Sequence, residues 1–137
     1  MAPDLIGRFA RLERALQKLD RLGSERSMEE YLKDDDLQDI AERNFQVAIE
    51  ALIDLANHLV SVRAYRKPES NVDVFSVLEE EGVIDADLAG RMADWVRFRN
   101  ILIHDYVIVD PRKVYRFLWE LDDLRTMACI LARHLEL

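Results

Sequence analysis

Apolar residues recur along most of the chain at the three- and four-residue spacing of an α-helix. In the first segment they stand at positions 5, 9, 12, 16 and 19, and Gly23 is the predicted end of that helix. Ser27 and Glu30 have the spacing of a capping box, which predicts a short helix to about Lys33. The first quarter of the chain therefore predicts one long helix and one short helix.

The longest predicted helix runs from Asp36 to about Arg63 and carries two apolar seams. One seam consists of Leu37, Ala41, Phe45, Ala48, Leu52, Leu55, Leu59 and Val62, and the other of Ile40, Val47, Ala51, Ile53, Ala56 and Val60. The polar strip left over is narrow and consists of Arg43, Gln46, Glu50, Asp54, Asn57 and Ser61. Because such a helix must be covered on several sides, we expect its own bundle and a second copy of the chain to cover it.

The second half of the chain predicts three more helices. Residues 66–71 have the composition of a turn, after which Asp73 is the predicted N-cap of a short helix that Gly82 ends. Asp85 is the predicted N-cap of a helix that runs from Ala86 to about residue 103.

The final segment predicts a loop and one last helix. Residues 104–110 (HDYVIVD) break the helical period, and Asp110 with Pro111 is a strong start for a helix that continues to about Leu135. No two-residue alternation lasts long enough to form a sheet. The prediction is an all-α fold, an up-and-down bundle of four main helices with one or two short additional helices, in a single domain spanning residues 1–137.

Composition narrows the class of protein. The single cysteine excludes an internal disulfide framework, and the chain has no apolar run that approaches the ~18 residues of a membrane span. The N-terminus lacks the continuous apolar region of a signal peptide. We therefore expect a cytoplasmic protein that does not bind a membrane and needs no cofactor or metal.

The net charge of −8 disfavours nucleic-acid binding by long-range attraction, but the charges are unevenly placed. Residues 24–42 form an acidic run, which is predicted to be a solvated surface. The segment from residue 97 to 116 is basic instead. Its cations, which we regard as possible RNA contacts, are Arg97, Arg112, Lys113 and Arg116, beside Arg99.

The candidate chemistry lies in residues 97–111, RFRNILIHDYVIVDP. An arginine grips phosphate oxygens in a bidentate fork, and a histidine can move a proton near neutral pH. RNA carries its own nucleophile, the 2′-hydroxyl, so a metal-free ribonuclease needs only a proton shuttle and a cation for the charge on phosphorus. Arg99 and His104 supply these two groups.

Helix geometry restricts that pairing. On a continuous helix five residues turn the chain through about 500°, so His104 would point about 140° away from Arg99. The two can share a site only if the helix ends between them or if a second subunit completes the site. An arginine and a histidine that merely cap a helix end remain the simpler alternative.

The order Arg, Asn, three apolar residues, His, one residue and Tyr, from Arg99 to Tyr106, resembles the signature of HepT toxins in the HEPN superfamily. The long helix with residues 42–60, the FSVLEEEGVID segment at residues 75–85 and the Asp-Pro helix start agree with the resemblance. It implies a dimeric, metal-independent endoribonuclease with Arg99 and His104 as the catalytic pair and Asn100 as a supporting polar residue.

The same resemblance implies a partner and a modification. HepT toxins are paired with a minimal, MntA-type nucleotidyltransferase antitoxin, which attaches AMP to the motif tyrosine, here Tyr106. Two alternatives stay open from the sequence: a catalytically silent adaptor that binds a nucleotidyltransferase, and a structural dimerisation bundle with no site.

Overall fold

The computed structural model describes residues 4–104 and 107–137. In chain order the helices are α1 (Leu5–Glu25), α2 (Met28–Leu32), α3 (Asp35–Val62), α4 (Asp73–Glu80), α5 (Ala86–Leu102), α6 (Pro111–Phe117) and α7 (Asp122–His134). No strand occurs among the described residues, so the predicted all-α class is confirmed. Four helices are long and three are short, one short helix more than predicted.

Helix α3 lies at the centre of the bundle and contacts each of the other six helices. By length and composition alone it could cross a membrane, but 56% of its most apolar stretch is buried inside the bundle, as in the core helix of a soluble protein. Four residues of its second apolar seam, Ala51, Ile53, Ala56 and Val60, are buried within this one chain. The seam therefore does not by itself require a second copy, and the homodimer remains a prediction.

The predicted last helix is broken into α6 and α7. Leu118, Trp119 and Glu120 each donate a backbone hydrogen bond to the carbonyl three residues earlier, which forms a tight turn. Leu118 and Leu121 are nevertheless buried, so the apolar period continues through the turn. The sequence pattern could not reveal the break, and the single helix to about Leu135 was wrong.

Gly23 does not end α1, which continues to Glu25. A Cβ atom on Gly23 would lie 3.1 Å from the Cβ of Leu118, in the turn between α6 and α7. The glycine therefore serves close packing between α1 and that turn.

Three of the four predicted caps form. Ser27 and Glu30 make both hydrogen bonds of the capping box, and Asp85 and Asp110 accept bonds from the first turns of α5 and α6. Asp73 is not an N-cap: it is the first residue of α4, and Val72 precedes it without a side-chain cap bond. Its carboxylate instead accepts hydrogen bonds from the guanidinium of Arg66 and from the backbone N–H of residue 69.

Candidate active site

Helix α5 ends between Arg99 and His104. Ile103 is its C-cap and donates a backbone hydrogen bond to the carbonyl of Arg99 at 3.2 Å, and His104 donates to the carbonyl of Ile101 at 3.2 Å. His104 is exposed just beyond this end. One of the two conditions under which Arg99 and His104 can share a site is therefore met.

An aromatic cluster fixes the C-terminal half of α5. Phe98 packs edge-on against Phe45 of α3 and Phe117 of α6, with ring centroids 5.4 and 4.9 Å apart. Trp95, one turn earlier, stacks on Phe45 at 5.6 Å. Since these rings pack α5 against α3 and α6, the backbone that carries Arg99 and Asn100 is well anchored.

Arg99 is partly buried and hydrogen-bonded to two side chains. Its Nε and Nη2 donate to the same oxygen of Glu50, Oε1, at 3.2 and 3.0 Å, and its Nη1 donates to Asn100 Oδ1 at 3.1 Å. Gln46 Nε2 also donates to Glu50 Oε1, at 3.2 Å. Only 18% of the Arg99 side chain is exposed, so this guanidinium is held in one orientation while N–H groups remain for a ligand.

A polar pocket of about 270 Å³ lies beside Arg99. It is formed by α3, α5 and the loop before α4, and its lining residues in the described chain are Glu50, Ile53, Asp54, Asn57, Asn71 and Arg99. One cation and two carboxylates therefore face the space. The pocket can offer amide and guanidinium donors to an anion, but its local charge is not positive.

The remaining predicted site residues are spread over two helices. Asn100 is half-buried and accepts the hydrogen bond from Arg99, and its supporting role stays a prediction. Arg97 is exposed and forms an ion pair with Asp94 at 3.0 Å. The three basic residues of α6 are exposed and form no ion pair within residues 4–104 and 107–137; these are Arg112, Lys113 and Arg116. Tyr106 lies outside the described residues.

Glu50 and Asn71 were not among the predicted site residues. Glu50 was visible only as part of the polar strip on the long helix, and no sequence feature indicated that Arg99 would pair with it. An acidic residue in the middle of a helix apolar on most sides was the available signal. Asn71 reaches the pocket from a loop, and nothing in its sequence context indicated this.

Metal-ligating side chains are not clustered in the described part of the chain. No group of three or more His, Cys, Asp or Glu residues there could hold a metal ion. The chemistry that the described residues offer is that of a guanidinium, amides, carboxylates and one exposed histidine.

Comparisons with known proteins agree on one family. Residues 12–129 match the sequence model of the family described as ribonuclease HepT-like. The chain is similar to the mRNA nuclease HepT of Shewanella oneidensis, with 30% identity over 74% of this chain and 75% of that protein. It is also similar to the tRNA nuclease HepT of Aphanizomenon flos-aquae, with 31% identity over 82% of this chain and 71% of that one.

Solved structures agree with the fold and the family. The tri-AMPylated Shewanella oneidensis HEPN toxin in complex with the MNT antitoxin superposes with a TM-score of 0.86, at 26% identity over 97% of this chain and 99% of that chain. The cytosolic protein YutE of Bacillus subtilis, at 17% identity and a TM-score of 0.73, shares the fold. The chain therefore belongs to the ribonuclease HepT-like family, and the prediction that it is an RNA nuclease is confirmed.

Proposed function

We propose that this chain is a metal-independent endoribonuclease toxin in which Arg99 and His104 act together at a cleft between two copies. The observation that carries the proposal is the fixed guanidinium of Arg99, which faces a polar pocket at the end of α5. His104 follows within the same helix end. These are the cation and the proton carrier that cleavage by the 2′-hydroxyl of RNA requires.

In the proposed reaction the 2′-oxygen forms a bond to phosphorus and the bond from phosphorus to the 5′-oxygen breaks. One proton leaves the 2′-hydroxyl and one is delivered to the departing 5′-oxygen. His104 makes one of these two transfers, solvent water makes the other, and Arg99 stabilises the negative charge that develops on the phosphoryl oxygens. Asn100 holds the guanidinium in place.

The Arg99 pocket of a single copy is not electropositive. In one copy Arg99 faces Glu50 and Asp54, so a phosphate would meet two carboxylates and one cation. A second copy placed across a two-fold axis would bring its own motif to the same cleft. Basic residues 97, 112, 113 and 116 are the candidates for contacts with the rest of the RNA.

The relatives support a place in a toxin–antitoxin system. Solved relatives include the HEPN toxin bound to its MNT antitoxin and a toxin–antitoxin complex with AMP-PNP. For this chain we propose a cytoplasmic location and a nucleotidyltransferase antitoxin that attaches AMP to Tyr106.

The test is RNA cleavage by purified variants. His104→Ala should lower the rate about 10²–10⁴-fold and Arg99→Ala about 10²–10³-fold, with unchanged helix content. Arg99→Lys should not restore full activity, because a point charge cannot reproduce the fork. His58→Ala, which changes a histidine on α3, is the matched control and should stay active. Cleavage that survives in His104→Ala, or that EDTA abolishes, would contradict the proposed metal-independent mechanism.

A further inference from the structure

Four of the five basic residues of helix α1 lie in one row. Arg11, Arg14, Lys18 and Arg21 are spaced by three, four and three residues, so they form one row about 15 Å long. Two acidic residues of the same helix, Glu13 and Asp20, lie on the opposite flank, where Asp20 pairs with Arg125 at 2.8 Å. Apart from Glu25 at its last position, the acidic residues of α1 therefore lie away from the basic row.

The basic row borders a groove between α1 and α3. One cavity of about 350 Å³ is lined by Arg11, Arg14 and Lys18 of α1 and by Arg43, Asn44 and Val47 of α3, with Ala15. A second cavity of about 480 Å³ shares Lys18, Arg43 and Asn44 with the first and extends past Arg21 and Arg26. Because the two share residues, they are adjacent, and together they are here called the α1–α3 groove.

The groove is basic although the chain is acidic. Six basic side chains and two acidic ones, Glu25 and Asp39, line it, while the whole chain has a net charge of −8. Five of the six form no ion pair in the part of the chain that the structure describes; these are Arg11, Arg14, Lys18, Arg21 and Arg43. Elsewhere, Arg66, Arg91 and Arg125 each have a carboxylate partner. Like charges at this spacing repel one another, and a bound polyanion would relieve that repulsion.

The groove leads toward the Arg99 pocket. Arg43 and Glu50 are seven residues apart on α3, which puts them on nearly the same face about 10 Å apart. Val47 lines the groove and Glu50 lines the pocket, so the two spaces occupy neighbouring turns of one helix. A flexible strand lying in the groove would continue toward the guanidinium of Arg99.

We propose that the α1–α3 groove binds the phosphate backbone of the single-stranded RNA substrate and guides it to the Arg99 pocket. This inference rests on the proposed function of the chain as an RNA-cleaving toxin. Charge complementarity favours RNA over a second copy, since a two-fold interface centred on the groove would bring the two basic rows together. The principal contacts are made by Lys18 and Arg43, which belong to both cavities.

The test is binding of a labelled, single-stranded 2′-O-methyl RNA oligonucleotide, measured by fluorescence anisotropy at several salt concentrations. This probe lacks the 2′-hydroxyl nucleophile, and its integrity is checked on a denaturing gel. Lys18→Gln/Arg43→Gln should weaken binding about 10-fold or more and lower the slope of log K against log [salt] by about 1.4, or about 0.7 for each lost phosphate contact. The control Lys33→Gln/Arg133→Gln removes the same charge from exposed positions outside the groove and should leave that slope unchanged.

Three results would overturn the proposal. They are unchanged affinity in the groove variant, an equal loss in both double variants, and unchanged RNA binding with weakened co-purification of the nucleotidyltransferase. The last would make the groove a protein-binding surface. Because the assay reads binding of an uncleavable strand, it is independent of the roles of Arg99 and His104. Failure of His104→Ala to stop cleavage would defeat the mechanism and leave the groove result standing.

Discussion

The guanidinium of Arg99 forms an ion pair with the carboxylate of Glu50, through two N–H groups that share one oxygen at 3.0 and 3.2 Å. The pair joins α5 to α3 and is only partly exposed, with 18% of the Arg99 side chain and 35% of the Glu50 side chain accessible. A partly buried arginine needs such a partner to offset its desolvation. The same partner fixes the direction of the guanidinium that the proposed chemistry uses.

Replacement of Glu50 should therefore lower RNA cleavage without unfolding the chain. We expect Glu50→Ala to reduce the rate about 10-fold or more, because misplacing an electrostatic stabiliser weakens it. Glu50→Gln should be milder, since an amide oxygen can still accept both bonds. Asp54→Asn is the matched control, because it removes one charge from the same pocket without removing a bond to Arg99. An equal loss in Asp54→Asn would show that pocket charge, not the pairing, is what matters.

The proposed composite cleft predicts a dimer and a specific pattern of complementation. Light scattering should give twice the chain mass of 16.0 kDa. If each site takes Arg99 from one copy and His104 from the other, mixing Arg99→Ala chains with His104→Ala chains restores one intact site in each mixed dimer. Activity should then reappear on co-expression of two inactive chains. A monomer at micromolar concentration, or no recovery in verified mixed dimers, would contradict a site shared in this way.

The fold was predictable where periodicity and capping chemistry act locally. The bounds of α3 and the caps at Ser27, Asp85 and Asp110 follow from side chains a few residues apart. The break between α6 and α7 did not, because its two buried leucines keep the helical period through the turn. Gly23 also misled, since its reason is contact with Leu118, 95 positions away along the chain.

The site followed the same division. The end of α5 before His104 could be predicted from sequence, because its signals lie within one segment. The catalytic roles of Arg99 and His104 stay a prediction. The partner of Arg99 could not, since Glu50 is 49 residues away and meets it only through packing of α5 on α3. The basic groove was also missed: the cations of α1 are regular in spacing, but only the fold brings Arg43 to them.

Attachment of AMP to Tyr106 should inhibit cleavage. The modification would add bulk and negative charge two residues from His104, where the RNA phosphate is expected. Mass spectrometry of the chain co-expressed with its nucleotidyltransferase should find AMP on Tyr106, and Tyr106→Phe should escape both modification and inhibition. AMP found only at other residues, or full activity after modification, would contradict this prediction.

The buried hydroxyl of Tyr31 leads to a further prediction, which concerns the stability of the fold. The side chain is fully buried, burial raises the pKa of its hydroxyl, and that oxygen has no hydrogen-bond partner among the described residues. Its neighbour Tyr115, with ring centroids 5.5 Å apart, donates its hydroxyl to the carbonyl of Arg26 at 2.6 Å. An unsatisfied buried hydroxyl is costly, whereas a made hydrogen bond contributes about 0.5–1.5 kcal/mol.

The two tyrosines therefore form a matched pair of variants. Tyr31→Phe should raise the free energy of unfolding by about 1 kcal/mol, and Tyr115→Phe should lower it by about the same amount. Urea denaturation followed by circular dichroism measures both. If Tyr31→Phe were the more destabilising change, the hydroxyl of Tyr31 would have to be hydrogen-bonded in solution.

Arg66 makes the stability of the loop beside the Arg99 pocket depend on pH. Its guanidinium binds Asp73 and Glu80, both on α4, at 2.7–3.0 Å, and the loop it closes carries Asn71. Hydrogen bonds from Arg66 hold the pKa of Asp73 at about 2, below its ordinary 3.8, and lower the pKa of Glu80 from 4.5. Because the folded-state values are depressed, the stabilisation is complete above the unfolded values and is lost as pH falls.

Arg66→Gln should consequently destabilise the chain at neutral pH and lose its effect in acid. The difference in unfolding free energy between the variant and the parent chain should shrink as the pH falls from about 4.5 toward about 2, while both carboxylates become protonated. Arg66→Lys keeps the charge without the fork and should give an intermediate difference. Urea titrations of the three chains across this range measure it. A difference that stayed constant down to the lowest pH would mean that the carboxylates of Asp73 and Glu80 do not depend on Arg66 for their depressed pKa values.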